Sequence, residues 1–201
     1  MTLKGNLNSS KGFLSGICSK KRNINLNTLE NVVLLAIEIA REGREGRKIG
    51  TMFTISDSEK VIKYSKCLIL DPLFGHPPSI KHIDDDNMRE TIKELSQLDG
   101  AFVVADDGVV VSACRYINAS SRGINLPLGL GSRHMAAASI TKQTNAVAVV
   151  VSESSIVRVF DDGYIVGEII PELWMMERYS LHLTKPYHER SKKDITVISK
   201  D

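Results

Sequence analysis

The feature that most constrains the fold of this 201-residue chain is a pair of β-rich segments interrupted by the same tripeptide. Each segment has two apolar runs around Asp-Asp-Gly: 101–105 and 109–113 around residues 106–108, and 156–160 and 164–169 around residues 161–163. Asp-Gly between such runs is typical of a tight hairpin turn. The aspartates could be imagined as metal ligands, but turn chemistry accounts for both triplets. We therefore expect antiparallel hairpins.

Helical patterns and further strands accompany these hairpins. Asn27 and Glu30 have the spacing of a capping box, and the apolar residues that follow, up to Ala40, recur with helical spacing. Further elements are expected as follows: strands at 51–55 and 146–151, a turn or short helix at 57–64, a short buried segment at 67–70 and an amphipathic helix at 84–97. This order predicts the α/β class, with a mixed, hairpin-rich central β-sheet flanked by helices.

Composition predicts three parts of the chain. Residues 1–26 are polar and without a clear period, which is typical of a lead-in or linker. Residues 27–180 form the expected domain, whose final helix begins near Pro171 and runs through Tyr179. Residues 181–201 are interpreted as a charged tail, loose from Lys185 onward.

Bulk properties exclude several functional classes. The formal net charge of +2 is too small to indicate binding to nucleic acid or to a membrane surface, and no apolar stretch approaches the ~20 residues of a membrane span. No secretory signal is evident in the first fourteen residues. Cys18, Cys67 and Cys114 are widely spaced, which argues against a disulfide framework and a zinc site. We expect a cytoplasmic protein whose cysteines are buried and inert.

Gly131-Ser132-Arg133-His134 places two cationic side chains at the predicted start of a helix. The helix dipole is positive there, so cations are disfavoured unless an anion binds the terminus. Ser132 is a good N-cap, and Gly131 lets a ligand approach the backbone. The pattern predicts a phosphate site, while a capped core helix with two solvated polar residues remains an open alternative.

Asp99-Gly100-Ala101 lies where a predicted helix meets a predicted strand. Gly100 and Ala101 leave room for a ligand beside the backbone, although any Asp-Gly before a strand can be only a turn. An acid that holds a divalent cation and a helix terminus that holds phosphates are complementary halves of a nucleotide site. Together the two motifs indicate phosphoryl or nucleotidyl transfer.

These motifs, with Leu126-Pro127-Leu128 between them and residues 150–154 after them, resemble the diadenylate cyclase family. The resemblance runs in order from about residue 27 to residue 174. It implies that two ATP molecules are condensed into cyclic di-AMP and two pyrophosphates, with Mg²⁺ or Mn²⁺, across a face-to-face dimer. Self-association is then required for catalysis.

The resemblance also implies roles for individual residues. Asp99 matches the catalytic, metal-binding acid, and Ser132, Arg133 and His134 match the phosphate-binding loop. The expected nucleotide or phosphate contacts are Gly100, Ala101, Gly131, Ser132, Arg133 and His134. Glu153 is the candidate for a second metal-binding acid, with a surface turn as the alternative.

The chain departs from the family pattern at several positions. Met135 replaces the second arginine of Arg-His-Arg, and Leu98 stands where some members have histidine. Arg115 and Arg122 could supply the missing cation or could simply be solvated. Adenine could contact Tyr116 and Ile117, which ordinary packing at a strand end explains equally well.

Two other functions compete with the cyclase. The first is a non-catalytic module that binds a nucleotide or cyclic dinucleotide on the same fold, which Met135 makes conceivable. The second is a structural domain in which both motifs are only turns and caps.

Overall fold

The structure is a computed structural model that describes residues 16–17, 22, 24–171, 186–192 and 195–200. Its helices are α1 (Leu26–Glu42), α2 (Ser58–Lys63), α3 (Asp86–Leu95) and α4 (Ser132–Gln143), with a 3-10 turn at Pro78–Ile80. Its strands are β1 (Thr51–Ile55), β2 (Ser65–Cys67), β3 (Ala101–Val104), β4 (Val110–Ile117), β5 (Val147–Val151), β6 (Val157–Asp161), β7 (Tyr164–Ile170), β8 (His188–Lys192) and β9 (Ile195–Ser199).

One mixed sheet organises the described part of the chain. Its nine strands lie in the order β2-β4-β3-β1-β5-β6-β7-β9-β8. β1 and β3 are parallel, and every other neighbouring pair is antiparallel. Both Asp-Asp-Gly hairpins form, as β3-β4 and β6-β7. The predicted fold class is confirmed.

The two faces of the sheet bury different helices because side chains alternate along each strand. In β5, Val147, Val149 and Val151 belong to the core that contains α1, whereas Ala148 and Val150 belong to the core that contains α4. Fully burying one leucine-sized side chain contributes roughly 1.5–3 kcal/mol. α4 is therefore held on a packed layer, so the position of its first turn is fixed by the sheet.

The start of α1 differs from the prediction. The N-cap is Asn25, whose Oδ1 accepts hydrogen bonds from the backbone N–H of Asn27 at 3.0 Å and of Thr28 at 3.4 Å. The capping box predicted for Asn27 and Glu30 is therefore wrong. The asparagine two residues earlier can reach the N–H groups of the first turn, which have no partner within the helix.

Residues 67–70 do not form a buried segment. Cys67 ends β2, and all four residues are exposed because β2 is the edge strand. The expectation of buried cysteines therefore holds for Cys114 and is wrong for Cys67. Cys18 lies outside the described residues.

Parts of both chain ends pack onto the domain. Ile17 is buried in the core, and Nε of Arg22 lies 2.6 Å from Asp161, so the lead-in interpretation is wrong at these two positions. At the other end, β8 and β9 extend the sheet from β7, which corrects the loose tail. Their alternating, β-branched stretch was masked in the sequence by its many charges. The helix expected from Pro171 to Tyr179 falls almost entirely outside the described residues.

None of the described helices combines the length and the apolar character that a bilayer crossing requires.

Lys93, whose side chain is largely buried, joins α3 to α1 through ion pairs with three more exposed glutamates. Its Nζ lies 2.9 Å from Oε1 of Glu90, 3.1 Å from Oε2 of Glu38 and 3.3 Å from Oε2 of Glu42. The hydrogen bond from Lys93 lowers the pKa of Glu90 below its ordinary value of 4.5. Burial alone would lower the pKa of Lys93, but its hydrogen bonds to Glu90 and Glu38 outweigh that effect and raise the pKa above 10.5.

These shifts define a pH window and a first prediction. The lowered pKa of Glu90 stabilises the fold above pH 4.5, and this stability is lost as the pH falls through the pKa of Glu90 in the folded protein. The raised pKa of Lys93 also stabilises the fold, and this stability is lost only as the pH rises through the raised value. Lys93→Met leaves three carboxylates together, so we expect Tm at neutral pH to fall by about 3 °C. Thermal melts should show this loss shrinking in acid, as Glu90 becomes protonated.

The control is Lys60→Met. Lys60 forms an exposed pair with Asp57 at 3.2 Å, so its loss should change Tm by less than about 1 °C. A Lys93→Met protein as stable as the parent at neutral pH, or equally destabilised at all pH values, would contradict the network's contribution.

Candidate active site

A cavity of about 520 Å³ opens where the starts of β3 and α4 meet the end of β4. Its wall contains seven of the ten residues singled out from the sequence: Asp99, Gly100, Ala101, Tyr116, Ile117, Ser132 and Arg133. Gly131, His134 and Glu153 are outside this wall. The fold therefore brings the two main motifs, 30 residues apart in the chain, to one cavity; the roles of the residues stay predictions.

The start of α4 lies against this cavity. The helix begins at Ser132, the N-cap is Gly131, and no described side chain caps the terminus, so Ser132 as N-cap was wrong. Ser132 is instead the first helical residue and lines the cavity. Uncapped N–H groups at the positive end of a helix are suited to binding an anion.

Arg133 bridges the two candidate acids. Its Nη2 lies 3.0 Å from Oδ1 of Asp99, and its Nη1 lies 3.5 Å from Oε1 of Glu153. The arginine side chain is 34% exposed, against 85% for Asp99 and 70% for Glu153, so the carboxylates stay accessible. Gly50 packs on the guanidinium, because a Cβ at that position would lie 2.7 Å from Nη1.

These two acids decide how a metal ion would fit. No group of three or more His, Cys, Asp or Glu side chains suited to a metal is found in the described part of the chain. Mg²⁺ is commonly held by one or two carboxylates together with substrate phosphates, so Asp99 and Glu153 fit a metal that arrives with a nucleotide. They do not fit a site that binds the metal through protein ligands alone.

The structure shows why residue 100 must be a glycine, which the sequence did not reveal. Its φ is +115°, and a Cβ would lie 2.6 Å from the carbonyl carbon of Cys114. Cys114 itself has φ +52° and lies where the strand register shifts. Ala101 pairs with Arg115, whereas Val103 pairs with Ser112, so β4 has one extra residue between these two pairs. Glycine at 100 is thus required by a β-bulge as well as lining the cavity.

Asp71 holds this bulge in place and was missed at the sequence level. Its Oδ2 accepts a 2.6 Å hydrogen bond from Oγ of Ser112, and its Oδ1 accepts one of 3.2 Å from the N–H of Ala113. The strand residues after the bulge, Arg115 and Tyr116, line the cavity. The sequence marked residues 71–72 only as a break in regular structure, since nothing local indicates a contact forty residues away.

Arg115 is engaged by its surroundings. Its Nε donates to Oγ of Ser65 at 3.1 Å, its Nη2 donates to the carbonyls of Ile62 and Ser65 at 3.1 Å, and its Nη1 lies 3.0 Å from Sγ of Cys67. These bonds fix β2 against β4. Arg115 is therefore a poor replacement for the arginine missing at Met135, and Arg122 is exposed and outside the cavity wall.

His134 points away from the cavity. It is buried, its Nε2 lies 3.2 Å from Nη1 of Arg158, and its ring is 6.1 Å from that of Phe160. Nε of Arg158 in turn lies 2.6 Å from Oε1 of the fully buried Glu168. His134 thus supports the first turn of α4 from beneath and is not part of the cavity wall, and its expected contact with phosphate stays a prediction.

The remaining wall is largely apolar. Met52, Ile117 and Met135 contribute to it, and Tyr116 is half-exposed with its ring 5.3 Å from Nζ of Lys66. An apolar wall beside an accessible aromatic ring suits a planar base. Contacts of Tyr116 and Ile117 with adenine stay a prediction.

The sheet-bound cavity, with a carboxylate facing the cationic start of a helix, has the features of domains suited to nucleotides or other phosphorylated ligands. The family model described as "DisA bacterial checkpoint controller nucleotide-binding", abbreviated DAC, matches residues 38–165. The chain therefore belongs to this family, and the resemblance predicted from its motifs is confirmed.

Two curated relatives are archaeal proteins named diadenylate cyclase. The one from Methanocaldococcus jannaschii is 54% identical over 145 residues, which are 72% of this chain and 46% of that protein. The one from Haloferax volcanii is 41% identical over 147 residues, 73% of this chain and 54% of that protein. The chain spans about half the length of these relatives.

A solved structure supports the fold alone. A hypothetical membrane spanning protein from Bacillus cereus matches with a TM-score of 0.51 and 17% identity, covering 69% of this chain and 61% of that one.

Proposed function

We propose that this chain is a diadenylate cyclase that condenses two ATP molecules into cyclic di-AMP and two pyrophosphates. The observation that carries the proposal is the Arg133–Asp99 ion pair of 3.0 Å on the wall of the 520 Å³ cavity. It joins a group that favours phosphates to a group that favours a divalent cation. Membership of the family and the names of the two archaeal relatives support it.

The protein contributes to this reaction mainly by positioning the nucleotides and by stabilising the charge that develops on the phosphates. A ribose hydroxyl loses its proton to solvent as its oxygen forms a bond to the α-phosphorus of the other ATP. The bond from that phosphorus to the bridging oxygen breaks, and pyrophosphate leaves. Arg133 and the uncapped N–H groups of α4 hold the phosphates in line and stabilise the charge that develops on them. The apolar wall with Tyr116 and Ile117 holds adenine.

Asp99 and Glu153 would hold Mg²⁺ or Mn²⁺. When bound, the ion would favour a nucleophilic ribose oxygen and neutralise phosphate charge. Both carboxylates contact Arg133 without it, so they must give up part of that ion pairing when the nucleotide and ion arrive. The guanidinium is then released toward the phosphates, which links nucleotide binding to assembly of the site.

Self-association completes the proposed enzyme, because each ribose oxygen attacks a nucleotide bound by another subunit. Exposed apolar side chains near the cavity support a contact between copies. Leu68 lines the cavity, Leu70 on the same loop is 93% exposed, and Leu128, before α4, is 97% exposed. Exposed apolar patches are typical of interaction sites, so we expect these side chains to meet the other copy.

The test is an ATP assay performed as a function of protein concentration, with Mg²⁺ and with Mn²⁺. We expect one cyclic di-AMP for every two pyrophosphates, and a specific activity that rises with concentration as copies associate. Leu128→Lys should need a higher concentration for the same specific activity. Absence of cyclic di-AMP under either metal, at concentrations where sizing shows association, would reject the cyclase.

Met135 on the cavity wall favours one alternative, a non-catalytic module that binds a nucleotide or cyclic dinucleotide. Tight binding without turnover would select that function. If neither ATP nor cyclic di-AMP raised Tm, both nucleotide functions would be excluded, since a ligand that binds the native state must stabilise it.

A further inference from the structure

A second, smaller cavity of about 220 Å³ adjoins the first. Arg133 belongs to the walls of both, and Glu153 lines only the smaller one. The rest of this cleft is formed chiefly by the turn between α1 and β1, residues 44–50, and by Ser96 and Gln97 after α3. We call it the turn cleft.

The turn cleft is rich in positive charge. Arg44, Arg47, Lys48 and Arg133 line it, against Glu45 and Glu153. Arg44 is paired with carboxylates, including Oε1 of Glu94 at 2.9 Å, and Nζ of Lys48 donates to the carbonyl of Ala40 at 3.3 Å.

Arg47 differs from these two cations. Its backbone bonds to Arg44, but its exposed guanidinium makes no hydrogen bond or ion pair with the part of the chain that the structure describes. A guanidinium offers five donors in a planar fork and binds phosphate oxygens in pairs. Arg47 can therefore bind an anion without giving up an existing partner, and Arg133 provides a second cation across the cleft.

We infer that the turn cleft binds pyrophosphate, the group released in the reaction, through Arg47 and Arg133. The inference rests on the proposed function, and it names the side chains that bind the leaving group of the cyclase reaction. When the bond to the α-phosphorus breaks, the electron pair stays on the bridging oxygen of pyrophosphate, and the two guanidinium groups stabilise that charge.

The size and the position of the cleft carry this inference. At about 220 Å³ it is below the ~300 Å³ at which small-molecule pockets begin, so it suits an inorganic anion rather than a second nucleotide. The arginine that it shares with the nucleotide cavity also contacts Asp99, so phosphates that continue past the α-phosphorus enter the cleft. Among the described residues that line the nucleotide cavity, Arg133 is the one arginine or lysine not engaged elsewhere in the sheet, since Met135 is uncharged and Arg115 is engaged by β2.

Inorganic pyrophosphate with Mg²⁺ is the direct probe, used on the whole chain. We expect it to raise Tm, and we expect Arg47→Ala to weaken its apparent affinity about tenfold, the loss of one charge-assisted contact. Arg47→Lys should restore part of the affinity. AMP, which lacks the β- and γ-phosphates, should bind Arg47→Ala as tightly as it binds the parent.

Turnover supplies a second measurement. Product inhibition by pyrophosphate should weaken about tenfold in Arg47→Ala, in step with its affinity. Lys60→Ala, at an exposed ion pair outside the walls of both cavities, should match the parent. Unchanged pyrophosphate affinity and inhibition in an active Arg47→Ala enzyme would overturn the inference and leave the proposed function intact. Binding that depends on Arg47, in a protein that forms no cyclic di-AMP, would keep the anion site and reject the cyclase.

Discussion

Asp99→Asn should lower the rate of cyclic di-AMP formation by about 10²–10³-fold while nucleotide binding persists. Asparagine keeps the shape of the side chain but removes the charge that pairs with Arg133 and would hold the metal ion. Asp99 is 85% exposed, so the fold does not depend on it. The measurements are kcat with Mg²⁺ and with Mn²⁺, together with the rise in Tm caused by ATP.

Asp106→Asn is the matched control for this prediction. Asp106 is an exposed aspartate in the β3-β4 hairpin turn, outside both cavities, and should tolerate the same change of charge. An Asp99→Asn enzyme with full activity would show that the metal role is wrong. Loss of both activity and the ATP-dependent rise in Tm would show that Asp99 serves binding instead.

Much of the fold follows from local pattern. The hairpins depend on a turn chemistry that is complete within three residues, and α3 and β1 follow from period and length, so all were predictable. The segments near the two ends of the chain could not be predicted in this way. The strand pattern of β8 and β9 is obscured by charged residues, and the pairing of β9 with β7 is a tertiary contact. Ile17 is buried by residues far away in sequence, so it carries no local signal.

The candidate site was also predictable only in part. Its two motifs were visible because each combines unusual residues, but a motif does not say which of its side chains face the ligand. Helix geometry does: Ser132, Met135 and Ala136 share one face by i, i+3 and i+4 spacing and line the cavity, so His134 must point elsewhere. The buried position of His134 agrees with this geometry, but only the structure shows which face of α4 meets the cavity.

Contacts between distant segments could not be predicted. Asp71 reaches the bulge in β4, and Gly50 abuts Arg133 more than eighty residues later, through tertiary packing alone. Both residues look ordinary in sequence, an aspartate before proline and a glycine before a strand. Each supports the site by giving space or direction to a neighbour.

Gly50→Ala should therefore lower kcat/KM by about 10–100-fold without unfolding the protein. A Cβ at this position would lie 2.7 Å from Nη1 of Arg133 and 3.3 Å from Cγ of Glu153, so the guanidinium must move. Nη1 is the far end of a flexible side chain, and the φ of Gly50 is not in the left-handed region, so the fold accommodates the change. Tm should stay level or rise slightly, because alanine restricts the unfolded chain.

Gly167→Ala separates this effect from the general effect of adding a methyl group. Its Cβ would meet its nearest neighbour at an ordinary 3.6 Å, so activity should match the parent. Arg133→Lys provides the decisive comparison, because its shorter, unforked side chain does not reach the same space. If the glycine acts by positioning Arg133, adding Gly50→Ala to Arg133→Lys should cost far less than it costs the parent. Equal losses in both backgrounds would mean that Gly50 acts on the site independently of that arginine.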